Sequence, residues 1–139
     1  ALHLDVCSPI ATKPTWSKLN RKQRGVLINK GKTIFKKLVN ELKPDVIIAS
    51  VGWSHLRDWS EDFSVGREWP SLIEYNTDKH GNVINSPLKV QSKLITLGGE
   101  HKFLFINGQA ANTPFGKFSN QRKKEVGLAI KDELNLINK

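Results

Sequence analysis

The sequence predicts an α/β fold: a three-layer αβα arrangement around a mainly parallel sheet, extended by a β-hairpin. Three observations predict it. The tight apolar runs "VIIASVG" and "FLFIN" have the length and β-branched or aromatic content of buried strands. Two longer segments, ending near residues 42 and 137, carry apolar residues at helical spacing. Helix, buried strand and helix follow one another, as in the βαβ units of a parallel sheet. With 139 residues the chain has the size of one compact domain, expected to span residues 1–139.

The elements follow in order. "LHLDV" (2–6) alternates weakly and reads as a short strand, ended by Pro9 and Pro14, which impose extended or turning backbone. Ser17 is placed to cap a helix whose inward face is Leu27, Ile34, Phe35, Leu38, Val39 and Leu42, with Gly31 permitting a close neighbour. Pro44 and Asp45 punctuate, and 46–50 is a strand covered on both faces. Gly52 ends it, and "SHLRDWSEDF" reads as a short helix capped by Ser54. Strand-like runs at 71–75 and 88–97, with a turn at His80-Gly81, predict a hairpin. After Gly98-Gly99, "KFLFIN" is again a buried strand. The last helix, over 120–137, places Val126, Ala129, Ile130, Leu134 and Ile137 on one face.

Charge is the strongest global signal. Lys and Arg number 22 against 13 Asp and Glu, for a net charge of +9. The excess is local: nine bases and one acid, Glu41, lie between Ser17 and Lys43, whereas Pro44 to Lys79 holds seven acids and three bases. A one-sided basic segment suits a polyanion partner; a solvated lysine-rich face is the plainer alternative. No apolar run approaches the roughly 18 residues of a membrane span, and the start lacks the layout of a signal peptide.

Cys7 is the single cysteine, which excludes an internal disulfide and a four-cysteine zinc site. A reducing, cytoplasmic setting is the expectation. His3, His55, His80 and His101 show no metal-binding spacing, and no cofactor or metal is expected. The chain has no methionine and opens directly in a strand-like segment, which suggests a fragment of a longer chain.

Three constellations could carry chemistry. In "FLFINGQAANTPFGKFSNQRKKE", Asn107, Gly108 and Gln109 leave a strand where ligands gather in parallel α/β sheets. Gly108 would allow close backbone approach, and the amides of Asn107 and Gln109 each offer a donor and an acceptor. Ser119 would cap the following helix, and Lys117, Arg122 and Lys123 add charge for which a phosphate is a natural recipient. Ordinary turn residues and solvated lysines are the alternative. In "LDVCSPIATKPTW", Asp5 would lie near a strand end, to meet a ligand, act as a base or cap a turn. Among the aromatics, Trp59 and Trp69 are expected in the core. Phe115 and Phe118 are the better candidates for exposure beside nucleic-acid bases.

The order of "LHLDV", "TKPTW", "VIIASVGWSHL" and "NGQAANTPFGKFSN" resembles the C-terminal half of the uracil-DNA glycosylase superfamily, over most of the chain. The resemblance implies DNA as partner and base excision as reaction. Asp5 stands where the family reads the base edge with Asn, and Asn107 where it has an electrophilic His. The first catalytic motif of the family, which supplies the water-activating residue, has no counterpart in this sequence. Asp5 would then face the flipped base, Asn107 would donate to a base carbonyl, and Phe115 would be the wedge that probes the duplex. Ser119, Arg122 and Lys123 would hold phosphate, with Arg21, Lys22 and Arg24 adding contacts from the basic helix.

A nucleic-acid-binding, glycosylase-like domain is therefore the first reading, active only if another part of the chain supplies the first motif. A non-catalytic binding module of a larger protein, or a nucleotide- or phosphate-binding enzyme domain, are the alternatives.

Overall fold

The computed structural model describes residues 16–50, 69–96, 100–108 and 115–137. Their contacts divide the chain into two compact units: Ala1–Lys43 with Leu97–His101, and Pro44–Thr96 with Lys102–Lys139. The expected strand at 2–6 and helix at 54–63 lie outside the described residues.

The first unit is built on helix α1 (Arg21–Leu42), preceded by a 3-10 turn at Trp16–Lys18. Its N-cap is Asn20 rather than the expected Ser17. The Asn20 side chain accepts the Gln23 N–H at 2.9 Å, and the Gln23 side chain accepts the Asn20 N–H at 2.9 Å. This reciprocal box satisfies two of the amides that a helix start leaves unpaired. At the other end Lys43 adopts a left-handed conformation (φ 44) and returns its N–H to the Val39 carbonyl. Gly31, Phe35 and Val39 are buried, whereas Ile34 and Leu42 at the edges of the same face stay exposed.

The second unit is an α/β unit with a four-stranded mixed sheet, order β1-β4-β3-β2, in which β1 is Val46–Ala49, β2 Ser71–Thr77, β3 Val83–Thr96 and β4 Lys102–Asn107. Helix α2 (Asn120–Ile137) follows. The mainly parallel sheet is not what these strands form. Only β1 and β4 run parallel, in the register Val46↔Leu104 to Ala49↔Asn107; β2–β3 and β3–β4 are antiparallel. The reason is connection length. Residues 78–82 and 97–101 join β2 to β3 and β3 to β4, and a parallel crossover needs a dozen residues or more. The predicted hairpin is present, and it supplies half of the described strands.

The core lies between one sheet face and α2. Val90, Leu104 and Ile106 meet Phe115, Phe118, Val126 and Ile130, with Tyr75, Leu88 and Leu134 packed around them. Val126, Ile130 and Leu134 recur every four residues, the spacing of one helical face. Burying each of the larger side chains contributes about 1.5–3 kcal/mol. The alternate residues of β4 serve the other face, where Phe105 meets Trp69 edge to face at 5.6 Å and Lys93 stands 5.7 Å over the Trp69 ring. Trp69 is thus a core residue, as its sequence position suggests. Strand β1 is less covered than expected: Ile48 keeps 44% of its surface, because β1 stands at the end of the described sheet.

Candidate functional site

The basic surface of the first unit comes from α1. Its first turn contains no acid, and Glu41 is the one acid in the helix. Stepping about 100° per residue places Lys22, Gly25, Lys32 and Lys36 within a sector of about 80°, with Lys30 and Lys37 beside it. Lys22, Lys30, Lys36 and Lys37 are exposed and Lys32 is half-buried. The buried residues Gly31, Phe35 and Val39 fill the adjoining sector, with Val39 only about 20° from the half-buried Lys32. Of the residues predicted for this surface, Arg21 and Lys22 face solvent. Arg24 turns back, its Nη2 donating to the Ser17 carbonyl at 2.9 Å. The arginines and lysines of the first turn sit where the helix dipole opposes them, at about 0.3–1 kcal/mol each. Such a placement suits an anion that would offset it.

In the second unit, the carboxyl ends of the parallel pair carry Asn107 and Gly108. Asn107 is 3% exposed and lies in register with Ala49 on one side and Gln91 on the other. Gln91 is itself buried and donates through Nε2 to the Trp69 carbonyl at 3.0 Å. Gly108 donates its N–H to the Ala49 carbonyl at 2.8 Å and accepts the Phe115 N–H at 2.8 Å. Its N–H is therefore used within the protein, tying β4 to β1. Its carbonyl pins the chain where it returns from residues 109–114.

Phe115 and Phe118 are buried, at 8% and 3% exposure, rather than exposed as expected. Their rings stack 5.6 Å apart, and Phe118 also meets Tyr75. Phe115 holds a left-handed backbone (φ 56), which costs a non-glycine residue about 1 kcal/mol or more. That conformation turns its ring into the core beneath α2. The pair of phenylalanines is thus part of the core against which Val126 and Ile130 of α2 pack.

Ser119 caps α2 as predicted: its Oγ accepts the Arg122 N–H at 3.3 Å, and its carbonyl accepts the Lys123 N–H at 3.0 Å. Arg122 is engaged within the protein. Its Nη1 donates to the Thr77 and Asp78 carbonyls at 2.7 and 2.8 Å, and its Nη2 to Thr77 Oγ1 at 2.6 Å. Tyr75, beneath it, donates its hydroxyl to Glu125 Oε2 at 2.6 Å. The Tyr75 pKa is pushed up to about 12, first by burial and then by Glu125, with Arg122 opposing. Lys117 and Lys123 are exposed. Asp5 and Gln109 lie outside the described residues.

Asn40, Lys43, Glu100 and His101 line an open cleft of about 440 Å³ in the first unit. Among the described residues no group of three or more His, Cys, Asp or Glu is placed to hold a metal, and no helix is long and apolar enough to cross a membrane.

No protein-family model, curated protein or solved structure matches the chain.

Proposed function

We propose that this chain binds nucleic acid, with the solvent side of α1 gripping the phosphate backbone. The supporting observation is the arrangement on that helix: Lys22, Lys30, Lys36 and Lys37 exposed on one side, half-buried Lys32 at its edge, and Glu41 as the lone acid. The apolar side of the same helix is occupied by buried Phe35 and Val39. A membrane-surface helix would need that side for the lipid, so the charge complementarity favours a polynucleotide. Binding through three to five phosphates predicts a slope of log K against log salt of about −2.7 to −4.5 on duplex DNA. Fluorescence anisotropy across a salt series tests it. The combined variant Lys22→Gln, Lys32→Gln, Lys36→Gln should weaken binding and flatten the slope; unchanged binding would refute the reading.

A glycosylase-like reaction is the second reading. What favours it is the parallel pair β1–β4, whose carboxyl ends carry Asn107 and Gly108 before the chain enters α2, the position at which open α/β sheets receive ligands. A uracil-DNA-glycosylase-like, three-layer frame asks for more parallel strands, so this pair alone carries the reading. In it Asn107 addresses a base carbonyl and Asp5 a base edge, and Phe115 acts as a wedge only by leaving its buried position. Base release from uracil-containing duplex, lost in Asn107→Ala, would support it. Salt-sensitive binding without release would identify a non-catalytic module instead.

A further inference from the structure

We infer that α1 enters the major groove of duplex DNA and that Asn29 reads an adenine there, an inference that rests on the nucleic-acid reading above. The observation is what stands between the lysines. At steps of three and four residues along the solvent side of α1 come Val26, Asn29 and Thr33. All three are exposed, and all are poorer helix formers than alanine, lysine or glutamate. Packing does not account for them: Val26 leaves 49% of its surface in solvent. The Thr33 hydroxyl donates to the Asn29 backbone carbonyl at 3.1 Å, which uses its one donor. Among the described residues no hydrogen bond engages the Asn29 side-chain amide, so its donors and its acceptor are available to a ligand.

Around the helix axis, Asn29, Thr33 and Val26 fall in that order within about 60°. Lys36 and then Lys32 lie beyond Asn29, and Lys37 and then Lys30 lie beyond Val26. A strip of short side chains with cations on both flanks is the layout that a groove requires. The flanking lysines meet the phosphates of the two strands, and the short residues between them face base edges. The major groove of B-form DNA, about 12 Å wide, admits a helix; its minor groove and the major groove of duplex RNA are too narrow. An asparagine amide donates to adenine N7 and accepts from adenine N6, and the methyl groups of Val26 and Thr33 suit the thymine methyl. A lipid surface has no base edges, and the strip adds nothing to its binding. Helix α2 lacks the layout, because its exposed residues include Asp132 beside Lys124, Leu128 and Lys131.

The experiment is selection of duplexes from a random-sequence DNA library by the full chain, followed by anisotropy titration of the enriched duplex and of a duplex of G·C pairs alone. The enriched duplexes should share an A·T pair. Asn29→Ala should bind them about tenfold more weakly, the loss of one bidentate base contact, and should bind the G·C duplex unchanged. Placing 7-deazaadenine at the shared pair should weaken the parent and leave Asn29→Ala as it was. Alanine is the better helix former, so the variant should unfold at no lower a temperature, which separates a lost contact from a lost fold. The triple lysine variant should weaken binding to both duplexes. Full affinity in Asn29→Ala, an equal loss on both duplexes, or enrichment without a shared A·T pair would overturn this inference. So would single-stranded DNA or duplex RNA bound as tightly as duplex DNA. In each case a loss in the lysine variant would leave the nucleic-acid reading standing, whereas full affinity in the lysine variant would overturn both.

Discussion

Arg122 lies over the ring of Tyr75, its guanidinium carbon 4.4 Å from the ring centroid, while its nitrogens bond to acceptors of Thr77, the last residue of β2, and of Asp78 just beyond it. One side chain thus fastens the start of α2 to the end of the hairpin. A cation near a helix N-terminus, where the dipole disfavours it, is held here by two carbonyls, a hydroxyl and an aromatic face.

Replacing Arg122 by Ala should therefore destabilise the second unit by about 2 kcal/mol, the range for hydrogen bonds to a charged group. Arg122→Lys should recover little, because an ammonium cannot reproduce the planar fork. Chemical denaturation checks both. On DNA, the salt slope of the folded Arg122→Ala variant should match that of the parent.

Tyr75 is the one tyrosine in the chain, so an ultraviolet titration reads it directly. Its folded pKa, about 12, is raised above the ordinary 10.0. A raised pKa contributes stability that is complete below the unfolded value and is lost as pH rises through the folded one. The phenolate should appear near pH 12 in the folded chain and near 10 in denaturant. Glu125→Gln should bring the folded value down.

The hairpin turn rests on Asp78, whose carboxylate accepts the backbone N–H groups of His80 and Asn82 and the Asn82 side-chain amide. The Asn82 side chain first, then the two backbone bonds, hold its carboxyl below the ordinary value. A depressed carboxyl contributes stability present above its unfolded pKa and lost as pH falls through the folded one. Hydrogen exchange at His80 and Asn82 should accelerate at acid pH, and Asp78→Ala should show that faster exchange at neutral pH. Gly81→Ala should cost about 1 kcal/mol, since its φ of +89 excludes an unstrained side chain.

Phe115→Ala should cost about 3 kcal/mol in unfolding free energy, the value expected for emptying a buried aromatic site. A wedge standing in solvent would leave stability almost unchanged and alter only the bound DNA. Comparing unfolding midpoints with duplex affinity separates the two roles.

Much of the second unit was legible in the sequence because its signals are local. The aromatic and aliphatic run 103–106 has to be a buried strand, Val126 and Ile130 mark a helical face, and His80-Gly81 marks a turn. Strand direction differs from the expectation although the sequence carries its signal: Gly98-Gly99 sits in a connection too short for a parallel crossover. The Asn20 cap was equally readable, since Asn followed three residues later by Gln is a capping box. Arg122 was not readable. Its partners are mostly backbone carbonyls 44 and 45 residues away, which leave no trace in residue type.

The pairing of Val46 with Leu104 has a kinetic consequence. The β2–β3–β4 meander joins neighbours through short turns, so it can assemble from local encounters. The β1–β4 ladder must close a much longer loop, at a larger entropic cost and a lower rate. Refolding should therefore pass through chains that hold the meander but have not yet docked β1. In such chains Asn107 is already paired with Gln91, but Gly108 lacks the Ala49 carbonyl, and β1 is the last strand to join the sheet.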